Sequence, residues 1–352
     1  SRRHAHARLC SQGHRSQRRR RPCGGPEAGI ATRGTELTGK PIPALLQERH
    51  FLIEPSAPFR LDLTAWALRR RPHNEVDRWD GRVYERALPF GDSAVAVTVT
   101  QDGPADAPRL QVTLRGEGVD PGAEAQVRQT LTRLLGLEAD LSGFATMAAS
   151  DPSLAGLVAQ MRGLKPPRFA TLFEGLVNGI ACQQLSLDVG VHLLNRISAA
   201  HGRPVDAGPD PLRAFPGPAE LAIGYPAELK RLGFSMAKAR TVVTCAREIL
   251  DGDLDLPRLE GAEDDEVLER LTSLHGIGRW TAQYVMLRGL GRLHVFPGDD
   301  VGARNKLKSF LGLEGQFDYE RVESVVSRWA PYGGLVYFHL LLDSLTRAGL
   351  VA

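Results

Sequence analysis

Polar and apolar positions change their rhythm partway along the chain. Over 82–90, 94–100 and 110–114 β-branched or aromatic residues alternate with polar ones, separated by Gly91-Asp92 and by the loop Asp102-Gly103-Pro104-Ala105-Asp106. This pattern predicts antiparallel strands. Val127, Leu131, Leu134 and Leu135 then line one side of a helix over 123–135, so that 51–140 reads as a small α+β lobe. Beyond Leu141 the alternation stops. Apolar residues there recur at helical spacing over 153–161, 170–185, 187–199, 237–250, 264–274, 279–287, 301–311, 319–329 and 336–348. Proline- and glycine-rich connections such as 202–218 punctuate them, and 141–352 is expected to be an all-α body without internal repeats.

Residues 1–50 follow neither rhythm. They contain Arg18-Arg19-Arg20-Arg21, several glycines and prolines, few large apolar residues and no methionine, the composition of a basic, disordered extension. An upstream or processing remnant is favoured over a DNA-tethering arm. This extension also distorts the net charge of +3. Residues 1–26 hold eight arginines and no acid, leaving 36 basic against 41 acidic residues beyond them, a net −5. Binding of a polyanion by the folded part must therefore rest on local groups, because a global positive field is absent.

With 352 residues and 42% hydrophobic content, the chain can bury a sizeable core and form two or three domains. No apolar run reaches membrane-spanning length. Cys10, Cys23, Cys182 and Cys245 show neither metal-ligand nor disulfide spacing, which fits reduced thiols in an intracellular protein. No His/Cys/Asp constellation suggests a metal site, and no glycine-rich strand-to-helix loop suggests a nucleotide cofactor; none is expected.

The candidate chemistry lies in Leu274-His-Gly-Ile-Gly-Arg-Trp280-Thr-Ala282 and, downstream, Val295-Phe-Pro-Gly-Asp299-Asp300. Gly276 and Gly278 divide two helices, and such a hairpin leaves backbone N–H groups free at the start of the second, a natural seat for phosphate. A plain glycine connection between core helices is the alternative. Asp299 and Asp300 precede an apolar helical run, so simple N-capping competes with catalysis for both.

The stretch 274–282 resembles the helix-hairpin-helix of the DNA glycosylase superfamily that includes endonuclease III, and Asp300 falls where that superfamily keeps its catalytic aspartate. Within it the chain is most similar to the 3-methyladenine glycosylase II group. Phe173-Glu-Gly through Gln183-Gln184-Leu-Ser186, Leu232-Gly-Phe-Ser-Met-Ala-Lys-Ala-Arg240 and Arg328-Trp-Ala-Pro-Tyr332 extend the likeness to roughly 51–350. The resemblance implies an α+β lobe on a helical helix-hairpin-helix body. It also implies a monomeric, cytoplasmic, nucleoid-associated enzyme acting on duplex DNA that contains alkylated bases.

That likeness assigns roles residue by residue. Asp300 would stabilise the positive charge that grows on the sugar and orient water, with Asp299 as cap or support. Trp280 stands where relatives that also cut the backbone carry a lysine, which implies a monofunctional enzyme; neither Lys306 nor Lys308 is expected to substitute. Trp280 and Tyr284 share a helical face and could stack on a flipped cationic base, although ordinary core is the alternative. Trp66, in Ala65-Trp-Ala-Leu-Arg-Arg70, resembles an aromatic supplied to the pocket by the lobe. Gly276, Gly278 and Arg279 would meet phosphate, and Gln184, in place of a leucine wedge, would plug the emptied stack unless Leu185 does so. Asp188 is a candidate cap after Ser186, and Leu341 replaces a tryptophan of the bacterial pattern. A glycosylase for an oxidised or deaminated base, and a noncatalytic damage-binding protein on the same scaffold, remain the alternatives.

Overall fold

The computed structural model describes residues 46–205 and 211–351. The extension at 1–45, with any tethering role, lies outside the described residues. Strand β1 (Gln47–Ile53) crosses the expected boundary at residue 50.

After β1 come helix α1 (Leu61–Arg69) and strands β2 (Arg78–Trp79), β3 (Val83–Phe90), β4 (Ser93–Asp102) and β5 (Arg109–Gly116). The five strands form one antiparallel sheet in the order β1-β5-β4-β3-β2. Helix α2 (Pro121–Leu135) covers it, started by Asp120, whose carboxylate accepts the Ala123 N–H, and stopped at Gly136 with φ 61°. The expected strands and helix thus appear as β3, β4, β5 and α2. Sequence periodicity missed β1, β2 and α1, because β1 begins with four polar residues on an edge and β2 is only two residues long.

Helix α1 escaped detection because it is apolar on two sides. Leu61, Ala65 and Leu68 enter the core of the lobe, while Leu63 and Ala67 enter a core of the helical body. At nine residues, with Asp62 and Trp66 partly exposed, the helix is also too short for its apolar spacing to stand out in the sequence. Its position fixes the direction in which its last residues leave, and this matters for the site.

The body comprises α3 (Ser142–Ser150), α4 (Ala155–Gln160), α5 (Leu172–Cys182), α6 (Leu187–His201), α7 (Pro218–Ala222), α8 (Pro226–Arg231) and α9 (Met236–Asp251). It continues with α10 (Leu256–Gly261), α11 (Asp264–Thr272), α12 (Arg279–Val285), α13 (Val301–Phe310), α14 (Tyr319–Val326) and α15 (Gly333–Arg347). One apolar cluster unites α5, α6, α9, α11 and α12; the other unites α1, α3, α4, α13, α14 and α15. Strands do not vanish entirely after residue 141. A two-residue pair, β6 (Pro204–Val205) and β7 (Leu212–Arg213), packs Val205, Leu212 and Ala214 against Ala87, Ala94 and Ala96 of the sheet.

A buried ionic cluster joins lobe to body. Arg86 of β3 donates to Asp77 at 2.8 Å and to Glu174 of α5, and the Tyr84 hydroxyl donates to Asp77 at 2.7 Å. Removing one member would strand a buried charge, which is more costly than the pair itself is stabilising. The Trp329 of Arg328-Trp-Ala-Pro-Tyr332 is likewise structural: fully buried, it donates its indole N–H to Asp151 at 2.6 Å.

Candidate active site

The helices converge on a cleft of about 990 Å³ lined by the end of α1, the α5–α6 turn, the start of α9, the α11–α12 hairpin, the start of α13 and one face of α15. Asp299, Asp300, Trp280, Tyr284, Gly276, Gly278 and Gln184 all line it.

The two adjacent aspartates divide their work differently from the sequence expectation. Asp300, not Asp299, is the helix cap: its Oδ1 accepts the Ala303 N–H at 2.8 Å. Its Oδ2 remains turned toward the Tyr337 hydroxyl, 3.5 Å away. Burial, with Asp300 and Tyr284 close by, pushes the Tyr337 phenol well above its usual range, so it stays protonated as a donor. Capping thus fixes Asp300 through Oδ1, while Oδ2 has only the long contact from Tyr337. Asp299 pairs with Arg279 at 2.8 Å, and the Arg279 guanidinium lies 3.7 Å over the ring of Tyr319. Arg279 is therefore held by a carboxylate and a ring rather than standing free for phosphate.

The hairpin has two unlike glycines. Gly276 takes φ 86°, and a Cβ there would sit 2.2 Å from Thr241 Oγ1, so its need is internal. Gly278 is the N-cap of α12 at φ −99° with open space around it. No side chain caps α12, so its first N–H groups have no side-chain partner at the cap. Gln183 ties this loop to α5 by donating to the Gly276 carbonyl at 2.8 Å and to Thr281 Oγ1 at 2.9 Å.

Trp280 and Tyr284 stack on each other, centroids 5.6 Å apart and planes at 25°. Tyr284 is only 3% exposed, so it backs Trp280 instead of offering a ring face of its own. Its hydroxyl accepts from Arg70 at 2.7 Å, and Arg70 also donates to Asn178 at 2.6 Å. Arg70 takes φ 61° at the end of α1, a left-handed conformation uncommon outside glycine. That turn carries the guanidinium into the cleft wall. Behind Tyr284, fully buried Arg288 lies 5.9 Å from the ring centroid.

Trp66 is a correction. It does not line the cleft but packs against the core around α15, with the Arg69 guanidinium 4.9 Å over its ring. On a continued helix Arg70 would share the face of Trp66, four residues before it; the left-handed turn at Arg70, φ 61°, takes its side chain off that face and into the cleft wall. The segment supplies Arg70 and Arg71 in its place.

At the α5–α6 turn, Gln184 is exposed with φ 52°, and the adjacent Leu185 is 43% exposed. Both candidates for the wedge thus project from one tight turn. Ser186 caps α6, while Asp188 pairs with Arg71 at 3.0 Å instead of capping. Leu341 lines the cleft, as does Lys306. Arg70, Arg71, Gln183, Lys238 and Tyr337 are among the site-lining groups that sequence reasoning did not single out. Their sequence signals were the run Arg69-Arg70-Arg71, the Gln183-Gln184 pair and, for Lys238, its place in the stretch 232–240.

Residues 177–331 match the HhH-GPD superfamily base excision DNA repair protein family, and residues 55–171 match the AlkA N-terminal domain. The chain is 26% identical to DNA-3-methyladenine glycosylase 2 of Escherichia coli, over 78% of this chain and 90% of that one. It is 32% identical to a Mycobacterium tuberculosis protein named as a bifunctional transcriptional activator/DNA repair enzyme AlkA, over 59% of this chain but only 40% of that one. The chain thus spans less than half the length of the latter relative. The 3-methyladenine DNA-glycosylase from Archaeoglobus fulgidus superposes with a TM-score of 0.73 at 26% identity, covering 85% of this chain and 98% of that one.

Proposed function

The chain belongs to the HhH-GPD superfamily of base excision DNA repair proteins, with an AlkA-type lobe ahead of the superfamily region, and from that premise we propose that it is a monofunctional DNA glycosylase. Its substrate is duplex DNA carrying alkylated purines such as 3-methyladenine, the substrate class in the names of its relatives. The observation that carries this reading is Asp300: one carboxylate oxygen is fixed by the Ala303 N–H, and the other meets only a long 3.5 Å contact from the Tyr337 hydroxyl in a cleft that also contains Trp280 and the start of α12.

Glycosylases extrude the target nucleotide into a pocket, and breaking the N-glycosidic bond builds positive charge on the sugar. An oriented carboxylate stabilises that charge and holds the attacking water. An N-alkylated purine is already cationic and departs without a proton donor, so one acid suffices. The N–H groups at the start of α12 hold a phosphate, and Gln184 and Leu185 occupy the space the nucleotide vacates. With tryptophan at position 280, the lysine that backbone-cutting relatives use for imine chemistry is missing.

A second reading, excision of a neutral oxidised or deaminated base, gains support from Arg70 and Arg288, whose buried positive charges lie beside Tyr284 and oppose a cation on that side. Release of free bases from methylated duplex tests the enzyme itself, with Asp300→Asn as the comparison. A protein that binds damaged duplex but releases no base would be a binder on the same scaffold.

A further inference from the structure

Four cationic side chains line the cleft, and three of them are already engaged. Arg70 donates to Tyr284 and Asn178. Arg71 pairs with Asp188 at 3.0 Å. Lys238 donates to the carbonyls of Ala181 at 3.0 Å and Gln183 at 2.6 Å, closing the end of α5. Lys306 has one long contact, 3.5 Å to the Gly302 carbonyl within its own helix.

Lys306 also sits beside the reacting carboxylate without pairing to it. A Cβ on Gly302 would lie 3.2 Å from Asp300 Oδ1 and 3.7 Å from Lys306 Nζ, so the ammonium and the carboxylate flank the same small gap. Oδ1 is occupied by the Ala303 N–H. Partial burial lowers the Lys306 pKa, while Asp300 favours the charged form and Arg71 opposes it. A partly desolvated ammonium with no good acceptor is completed by an anion, and the anion that a flipped nucleotide brings into such a cleft is its own flanking phosphodiester.

We propose that Lys306 binds a phosphodiester adjacent to the extrahelical nucleotide, anchoring the strand beside Asp300 only once the nucleotide has left the stack. The proposal rests on the glycosylase reading for its ligand. A lysine is suited to it as a compact charge on a flexible stem that can follow the backbone. The role differs from that of the hairpin N–H groups, which meet phosphate whether or not a nucleotide is flipped.

The test is the salt dependence of binding to two duplexes, one undamaged and one containing a tetrahydrofuran abasic analogue, for the parent, Lys306→Gln and Lys306→Arg. Loss of one phosphate contact lowers the magnitude of the slope of log affinity against log salt by about 0.9. For Lys306→Gln this drop is expected on the abasic-analogue duplex and not on the undamaged one, with Lys306→Arg restoring it. An unchanged slope on the analogue, or an equal drop on both duplexes, overturns the proposal. Failure of the parent to release alkylated bases would sink the glycosylase reading alone, since the slope reads binding; failure to bind either duplex would sink both.

Discussion

The guanidinium of Arg70 donates a 2.7 Å hydrogen bond to the hydroxyl of Tyr284, joining the end of a helix in the lobe to the second helix of the hairpin. The consequence is mechanical. Trp280 stacks on Tyr284, so the wall of the cleft is held from behind by a residue 214 positions away. The lobe therefore acts on the site through Arg70, whereas the aromatic expected from it, Trp66, is spent in the core.

Tyr284→Phe keeps the ring and removes the acceptor, leaving a buried donor of Arg70 unpaired. A cost of about 1–3 kcal/mol is expected, as for other stranded buried groups. Urea unfolding measures it through the midpoint. A change below about 0.5 kcal/mol would mean that this bond does not hold the wall.

Asp300→Asn should lower base release by at least ~100-fold, the scale of losing one key electrostatic stabiliser. The fold should survive, because asparagine caps helices about as well as aspartate and can still accept the Ala303 N–H. Duplex binding should change little. Near-parental release rates would reduce Asp300 to a cap.

Gly278 and Gly276 separate phosphate binding from folding. Gly278→Asp introduces a good N-cap residue into open space, so stability should hold or rise, while its negative charge repels phosphate. Binding to damaged and undamaged duplex should weaken alike, since backbone contacts position without reading sequence. Loss confined to the lesion duplex would assign the loop to the base pocket. Gly276→Ala should instead destabilise the protein through φ 86° and the clash with Thr241.

Much of this was legible in the sequence for identifiable reasons. One-sided helices such as α2 and α9 carry a stripe, and β3, β4 and β5 alternate because one face meets a core while the other is partly covered. The hairpin showed itself through two glycines and Asp300 through its place before an apolar run. What escaped was whatever depends on the third dimension. Arg70 looks like any surface arginine until α1 is sandwiched between two cores. Likewise, which of two neighbouring aspartates caps α13 depends on the backbone angle at one residue, and Asp299 went to Arg279 because the hairpin brings that guanidinium across.

His339 gives a pH signature in the folded state. Burial depresses its pKa from 6.5 to about 4, opposed by the hydrogen bond from its Nδ1 to the Leu335 carbonyl at 2.8 Å. Since the folded value is the lower one, the unfolded chain takes up the proton first. The stability associated with neutral His339 is fully present above pH 6.5 and is lost as pH falls toward 4, on the order of 3 kcal/mol in the limit. His339→Gln should flatten the pH dependence of Tm over that window. An unchanged slope would locate the acid sensitivity elsewhere.

The chemistry should leave an intact abasic strand. Trp280 offers no amine, and Lys306, the lysine nearest Asp300 in the cleft, is assigned above to phosphate. Borohydride should therefore trap no protein–DNA adduct on a cleavable substrate. An adduct that disappears in Lys306→Gln would overturn both the monofunctional reading and the phosphate role.

Substrate choice sets the aromatic wall against the charges behind it. Trp280 presents a ring to the cleft, and a good cation–ring contact contributes on the order of 0.5–2 kcal/mol toward a cationic base. Arg70 and Arg288 oppose this, but Arg288 lies behind Tyr284 and Arg70, at the cleft wall, is engaged by Tyr284 and Asn178, while Asp300 attracts the same cation. The nearer groups should prevail, so 3-methyladenine and 7-methylguanine should be excised with little discrimination between them. Trp280→Leu should slow both together. The deciding measurement compares a methylated purine with a neutral lesion of similar size in the same duplex. Faster release of the neutral base would mean that the buried arginines set the potential of the pocket, and the second reading would replace the first.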